Sequence, residues 1–214
     1  MSKVIVTTVY QLDELSDAAR EKARAWYREG SFDYDWFDAV YEDFQHICDI
    51  LGVRLKTRAV RLYGGHTRQE PCIWFRGFWS QGDGACFEAD YAWQPQASRQ
   101  IRDYAPQDAG LHRIADALQA IQRRNFWQLH AEIRHRGNYY HEYCMVIAVG
   151  RDCATGQAMT VDAETSVSEA LRELARWLYR RLEDEYACLT SDDAVDEAIA
   201  ANEYTFTESG HRFG

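Results

Sequence analysis

The sequence has few of the features that separate a chain into domains or place it in a membrane. Its 214 residues include only three prolines, Pro71, Pro95 and Pro106, and no Gly- or Ser-rich run. Flexible linkers are normally rich in such residues, so we expect one domain over 1–214. No stretch approaches the ~20 consecutive apolar residues that a bilayer-spanning helix needs.

Secretion and metal-binding signals are also missing. The first twelve residues contain one lysine and no long apolar segment, unlike a signal peptide. Six cysteines are present, but no two have the C-x-x-C spacing of a zinc knuckle. We therefore expect a cytoplasmic protein with reduced thiols and no membrane association.

Positive charge is absent from residues 183–208, which hold nine acidic and no basic side chains. With a net charge of −10, the chain is a poor candidate for nucleic-acid binding, which requires a basic surface. A run of acidic residues is either a solvated helix surface or a docking face for a basic partner. The candidates for such a face are Glu183, Asp184, Glu185, Asp192, Asp193, Asp196 and Glu197.

The spacing of apolar residues predicts an α+β protein. We expect a strand over 4–9 and helices that begin near Ser16, Asp108 and Ser191, each a residue type that caps helices. Strands cluster in the middle of the chain and helices flank them. This order favours a mainly antiparallel sheet of about six strands with about five helices packed on it.

The clearest strand pair is an aromatic hairpin over 72–93. Residues 72–80 and 85–93 are predicted strands, and the turn 81–84 contains an Asp-Gly pair that tolerates positive φ. Alternation places Phe87, Ala89 and Tyr91 on a core face and Cys86 on a polar face. A second pair, 127–134 and 139–149, is predicted around Gly137 and Asn138.

The turn of this hairpin is the main candidate for a ligand site. Ser80, Gln81 and Asp83 surround two glycines whose backbone N–H groups could form an anion-binding nest. The alternative is an ordinary turn in which the Asp83 carboxylate bonds its own backbone.

Three more residues complete the candidate ligand site. Arg68 lies on a predicted loop after two glycines and suits a carboxylate or phosphate, while His135 and Asn138 flank the second turn. His135, His141 and Glu142 supply at most three metal ligands, so we expect neither a metal nor a cofactor. The local spacing places no base beside Ser80 or Cys86, so we assign no catalytic residue.

Three segments resemble a family of bacteriophage and prophage proteins that often carry the label "antitoxin of toxin-antitoxin stability system". They are residues 9–16 (VYQLDELS), 77–87 (GFWSQGDGACF) and 202–207 (NEYTFT). The resemblance covers nearly the whole chain. It implies a phage-borne accessory protein that neutralises a host factor or defence system, and it transfers no catalytic residue.

Together these observations favour a non-enzymatic inhibitor or antitoxin-like binder of a bacterial toxin or defence factor. Its contact surface would be the acidic helices or the aromatic hairpin. One alternative is a protein or enzyme that binds or sequesters a nucleotide-like anion at residues 80–84. Another is nucleic-acid binding through the basic strip from Arg54 to Arg76, where six basic residues oppose only Glu70.

Overall fold

The structure is a computed structural model that describes residues 3, 6–30 and 35–214. Six α-helices are present in this part of the chain: α1 (Asp17–Gly30), α2 (Asp38–Leu51), α3 (Ala97–Tyr104), α4 (Ala109–Arg124), α5 (Ala163–Leu189) and α6 (Asp192–Ala201). Within the described residues, every helix is too short or too polar to span a bilayer. The six cysteines are free thiols.

Ten short strands accompany the helices: β1 (Val53–Leu55), β2 (Thr57–Arg61), β3 (Thr67–Pro71), β4 (Ile73–Arg76), β5 (Gly84–Phe87), β6 (Ala89–Ala92), β7 (Leu129–His135), β8 (Met145–Arg151), β9 (Thr205–Phe206) and β10 (Arg212–Phe213). All paired strands are antiparallel. The α+β class and the mainly antiparallel pairing are therefore confirmed. The strands form one four-stranded sheet and three two-stranded sheets.

The chain divides into two compact units, Ala39–Glu183 and a unit made of both termini, Met1–Asp38 with Asp184–Gly214. We call them the central unit and the terminal unit. The expectation of one domain over 1–214 stays a prediction.

The central unit contains the four-stranded sheet, in the order β1-β6-β7-β8. Its core face is covered by helices: the Gln122 side chain of α4 donates to the Leu129 carbonyl at 2.7 Å and accepts from the Leu129 N–H at 3.1 Å. Phe44 of α2 packs edge-on against Phe87 and stacks on Trp177 of α5. The opposite face of the sheet carries Lys56, Glu132 and other charged side chains.

The helix caps predicted from sequence are present in part of the fold. The Asp108 carboxylate accepts from the Leu111 N–H at 2.9 Å and starts α4, and the Ser191 hydroxyl accepts from the Ala194 N–H at 3.3 Å and starts α6. Gly52 follows α2 with φ +77°, as expected of a residue that ends a helix.

Other predictions were wrong in detail. The segment 139–144 is a loop with a 3₁₀ turn, Glu142–Cys144, and β8 begins only at Met145. The strand predicted over 4–9 falls outside the described residues at 4 and 5, and residues 6–9 form no strand. Arg68 lies on β3 rather than on a loop, because β2 and β3 pair across the two glycines.

The terminal unit has its own small core. Tyr10 and Phe206 exchange backbone hydrogen bonds of 2.8 and 2.9 Å, which join two segments almost 200 residues apart. Phe206 is fully buried beside Trp26 of α1. Arg212 lies over the rings of Trp26 and Tyr204, at 5.0 and 4.8 Å from their centroids.

An ion-pair network joins α1 to α6 in this unit. Arg24 donates from Nε and Nη2 to the two carboxylate oxygens of Asp196, at 2.7 and 2.6 Å. Its Nη1 donates to Asp192 at 2.7 Å, and Arg28 donates to the other oxygen of Asp192 at 2.5 Å. Paired hydrogen bonds between a guanidinium and a carboxylate are among the stronger ion pairs because both groups are charged and planar.

We predict that Asp196→Asn lowers the free energy of unfolding by about 1–2 kcal/mol at neutral pH, because a charged hydrogen-bond pair is lost. Hydrogen bonding by Arg24 lowers the pKa of Asp196. Stability from a carboxyl with a lowered folded-state pKa is present above its ordinary pKa of 3.8 and is lost as the pH falls through the folded value. The difference between the two proteins should therefore shrink below about pH 4 in urea unfolding.

Asp193→Asn is the matched control. Asp193 lies on the same helix, and its carboxylate makes no ion pair within the described part of the chain. Its replacement should change stability by less than about 0.5 kcal/mol. Equal effects of the two substitutions would show that helix charge alone, rather than the Arg24 pair, stabilises α6.

Candidate functional site

Two loops that are distant in sequence lie against each other in the central unit. One is 77–83, which joins β4 to β5, and the other is 136–144, which joins β7 to β8. A methyl group built on Gly82 would lie 3.6 Å from the ring of Tyr139, and one on Gly84 only 2.6 Å from Cβ of His141. The two turns that the sequence marks as candidate sites are therefore neighbours.

The 77–83 loop is held by its own aspartate. Oδ2 of Asp83 accepts from the backbone N–H groups of Trp79, at 3.0 Å, and Ser80, at 2.6 Å. Gly77 has φ +50°, and any side chain there would collide with the Asp83 carboxylate. The Asp83 carboxylate thus bonds the backbone of its own loop, as in the alternative of an ordinary turn, and the anion-binding nest at Gly82 and Gly84 stays a prediction.

The 136–144 loop is held by His135 and by a group of stacked aromatic rings. His135 Nε2 lies 2.9 Å from the Tyr139 carbonyl, and the His135 backbone N–H donates to Glu88 at 3.0 Å. Trp74 and Tyr140 stack with a 12° angle between ring planes, and the His135 ring lies near both. His135 therefore positions the loop.

His141 and Cys144 are close, but their hydrogen bonds do not make a nucleophile and base. His141 Nδ1 accepts from the Tyr143 N–H at 3.1 Å, which leaves Nε2 facing Cys144 Sγ at 3.5 Å. Since Nδ1 is an acceptor, the proton of the neutral ring is on Nε2, and that nitrogen cannot take a proton from the thiol.

Cys86 was expected on a polar face, and this prediction was wrong. All four residues of β5 are buried, because Phe87 packs on Phe44 of α2 while the 136–144 loop lies against Gly84. Burial raises the pKa of the Cys86 thiol to about 12, with smaller contributions from Cys144 and Glu88. At neutral pH the thiol is protonated and unreactive.

Between the loops is an open cleft of about 710 Å³, which we call the aromatic cleft. It is lined by residues 81–83 and by Tyr139, His141, Glu142 and Tyr143. Tyr139 is 56% and Tyr143 68% exposed, and Trp79, on the same loop as Gln81, is 80% exposed. Side chains of this size are rarely so exposed in a group, and such patches mark contact sites.

Glu142, which lines the cleft, already has an ion-pair partner. Arg176 of α5 donates to Glu142 at 3.1 Å and also contacts Glu173 and Glu169. The guanidinium of Arg172 lies 5.9 Å from the Tyr143 ring centroid. These contacts from α5 fix the 3₁₀ turn that carries Tyr143.

The predicted ligand residues do not converge. Gln81 and Asp83 line the cleft, whereas Ser80, His135 and Asn138 are absent from its described lining. Arg68 contacts Glu70 on β3 at 2.8 Å. In the described part of the chain, no group of three His, Cys, Asp or Glu side chains is arranged to hold a metal ion.

The acidic candidates behave in two ways. Asp192 and Asp196 are bound by Arg24 and Arg28, as described above. Glu183, Asp184, Asp193 and Glu197 are exposed, and Glu185 is half-buried. The negative charge that α6 presents to a partner is therefore smaller than the number of its acidic residues suggests.

The basic strip also carries less free charge than its sequence suggests. Lys56 contacts Glu132 at 2.9 Å, while Arg58 and Arg68 both contact Glu70. Arg58 also lies over the Trp74 ring.

Sequence reasoning identified both loops but missed Tyr143 as a site residue. Tyr139, Tyr140 and Tyr143 fall within five positions of a Gly-Asn turn. Because connecting segments run over the protein surface, tyrosines clustered beside a turn tend to be exposed, and this pattern was the available signal.

A family model described as a domain of unknown function (DUF8835) matches residues 36–192. The match covers most of the chain, and the protein belongs to this family. It includes both loops of the aromatic cleft. No curated protein and no solved structure matches the chain.

We predict that Gly84→Ala lowers the free energy of unfolding by about 1–3 kcal/mol, because an added methyl group overpacks the contact between the loops. That methyl group would lie 2.6 Å from Cβ and 2.9 Å from Cα of His141. Urea unfolding measures the stability loss, and amide chemical shifts of 139–143 should change with it.

Gly30→Ala is the control for this substitution. Gly30 ends α1, and a methyl group there meets nothing within 4 Å. Its effect should stay within about 0.5 kcal/mol. A Gly84→Ala protein with wild-type stability and wild-type shifts would contradict the close approach of the two loops.

Proposed function

We propose that this DUF8835 protein is a non-enzymatic binding protein that inhibits a bacterial protein, such as a toxin or a defence component. We further propose that the aromatic cleft contacts that partner, in the cytoplasm of the bacterial host. The resemblance of residues 77–87 to phage and prophage proteins supports this setting, since residues 81–83 of this segment line the cleft.

The exposed aromatic rings are the observation that carries the proposal. Tyr139 and Tyr143 line an open cleft rather than filling a core, and Trp79 is exposed on the loop that carries Gln81. Tryptophan, tyrosine and arginine dominate the energetics of protein interfaces, because they bury a large area at a small entropic cost. The cleft therefore has the composition of an interface centre.

The polar groups around the cleft favour binding over catalysis. Asp83 is used by backbone N–H groups, His141 Nδ1 by the Tyr143 N–H and Glu142 by Arg176. A general base needs a lone pair directed at its substrate. One carboxylate oxygen each of Asp83 and Glu142, and Nδ1 of His141, accept hydrogen bonds from the protein itself, and these bonds stabilise the shape of the cleft.

The cleft is also a better candidate than the acidic helices. Two of the seven acidic candidates, Asp192 and Asp196, neutralise arginines of the same unit. A basic partner would have to compete with Arg24 and Arg28 for them. Exposed ion pairs contribute little to affinity, whereas buried aromatic rings contribute much.

Affinity capture from bacterial lysate with mass spectrometry tests the proposal. The wild-type chain should retain a specific protein, and Tyr139→Ala with Tyr143→Ala should reduce its binding at least about tenfold, as expected for interface hot spots. Tyr63→Ala is the matched control, because Tyr63 is a fully exposed tyrosine in the turn between β2 and β3. It should leave capture unchanged.

Three outcomes would overturn the proposal. If the double variant still captures the partner, the cleft is not part of the interface. Capture that is lost on Asp193→Asn with Glu197→Gln would place the interface on α6. A bound small molecule that is lost on Asp83→Ala, without any captured protein, would favour the alternative of a small-ligand site.

A further inference from the structure

A second exposed aromatic group lies at the end of α4, away from the loops of the cleft. The Trp127 N–H donates to the Gln122 carbonyl at 2.8 Å, and the Phe126 N–H to the Arg123 carbonyl at 3.4 Å. This pair of bonds is the Schellman pattern that ends many helices. Phe126 occupies the position that is normally glycine.

Both aromatic residues have a left-handed backbone. Phe126 has φ +57° and Trp127 has φ +64°. For residues with bulky side chains this region is a genuine outlier, since Cβ crowds the backbone. Glycine would relieve the crowding, so these aromatic rings are present at the expense of stability.

Two buried amides hold the strained turn in place. Asn125 donates from Nδ2 to the Ile121 carbonyl and to Thr160 Oγ1, both at 3.0 Å, and accepts from the Thr160 N–H at 2.9 Å. Gln122 pairs with both backbone groups of Leu129. The rings are therefore carried on a rigid backbone, which reduces the entropic cost of binding.

The rings themselves face solvent. Phe126 is 65% and Trp127 41% exposed. Trp93 packs on Trp127 with ring centroids 4.3 Å apart, and the Arg151 guanidinium lies 5.3 Å from the Phe126 ring centroid. We call these four residues the aromatic platform.

Arg151 brings an unneutralised positive charge to the platform. It donates to Gln128 Oε1 at 3.0 Å, to the Ala158 carbonyl at 2.8 Å and to Gln157 Oε1 at 3.4 Å, all uncharged acceptors. Among the described residues no carboxylate lies within ion-pair distance of it; the neighbouring Asp152 contacts His130 instead. Of its five N–H groups, two remain for an anion.

We propose that the aromatic platform binds a mononucleotide, whose base stacks on Phe126 and Trp127 while its phosphate contacts Arg151. A base offers a flat π face to aromatic rings, and arginine binds phosphate through paired N–H groups. The net charge of −10 disfavours long polyanions, so a single nucleotide fits better than nucleic acid. This proposal is independent of the function assigned to the aromatic cleft.

Isothermal titration calorimetry with adenosine 5′-monophosphate tests the proposal. The nucleotide should bind, adenosine should bind more weakly because it lacks the phosphate, and ribose 5-phosphate should not bind because it lacks the base. An octameric oligothymidylate separates nucleotide from nucleic acid. It should bind no more tightly than the nucleotide, and tight, steeply salt-dependent binding would overturn the assignment to a mononucleotide.

Two substitutions at Phe126 distinguish the contribution of its ring to binding from the effect of its left-handed backbone on stability. Phe126→Gly should raise the melting temperature by about 2–4 °C, because the left-handed strain is removed. It should also weaken nucleotide binding about tenfold, which is the usual effect of losing one stacked ring. Phe126→Ala should weaken binding equally without the rise in melting temperature, since Cβ is retained.

Arg151→Gln should weaken binding of the nucleotide but leave binding of adenosine unchanged. Tyr63→Ala, at a distant exposed tyrosine, should change neither. Absence of nucleotide binding to the wild-type chain at millimolar concentration, or equal binding by wild type and Phe126→Gly, would overturn the proposal.

Discussion

At Gly84 the backbone of one turn passes so close to His141 of another that no side chain fits between them. The contact joins β5, which follows the 77–83 loop, to the segment that precedes β8. Three features of the aromatic cleft depend on this approach. The loop covers the second face of β5, and the resulting burial keeps the Cys86 thiol protonated. The same approach holds Tyr139 and Tyr143 in their exposed positions beside the cleft. A protein core tolerates little added volume, so a single methyl group tests the whole arrangement.

The loops that meet at Gly84 satisfy their own polar groups before any ligand arrives. Asp83 accepts from the backbone of its own loop, and His141 accepts from the backbone of the other. The exposed side chains of the cleft lining include two aromatic rings, those of Tyr139 and Tyr143. A surface of this kind gains free energy mainly by excluding water from its rings, which is how a protein partner would bind it. The local hydrogen bonds, which hold the two loops in shape, thus support the proposed binding role.

Local features of the fold were predictable from sequence because local chemistry sets them. Asp108 and Ser191 cap α4 and α6 since their side-chain oxygens accept N–H groups three residues on. The antiparallel order of the strands follows from the same short-range rules. The tight Asp-Gly turn predicted at 81–84 was wrong, because β4 ends at Arg76, the connection is the longer loop 77–83, and Gly84 belongs to β5. The helix α3 was missed, because it begins after Gln96, at φ +64°, without a side-chain cap.

Long-range contacts could not be predicted in this way. Arg24 binds an aspartate 172 positions away, so the acidic run of α6 gave no sign that its charge was neutralised. Cys86 alternates like a solvent-facing residue, yet a loop nearly 60 residues later covers it. Phe126 stands where the rules of helix termination expect glycine. In each case a tertiary contact overrides the local pattern, and at Phe126 the exception coincides with an exposed aromatic surface.

Nuclear Overhauser spectroscopy on the isotope-labelled native chain measures the approach of the two loops directly. We expect strong cross-peaks between the Hα protons of Gly84 and the Hβ protons of His141, since Cβ of His141 lies 2.6 Å from the position that a Gly84 methyl group would take. Absence of these cross-peaks, with both residues assigned and ordered, would show that the loops are apart and that the aromatic cleft does not exist.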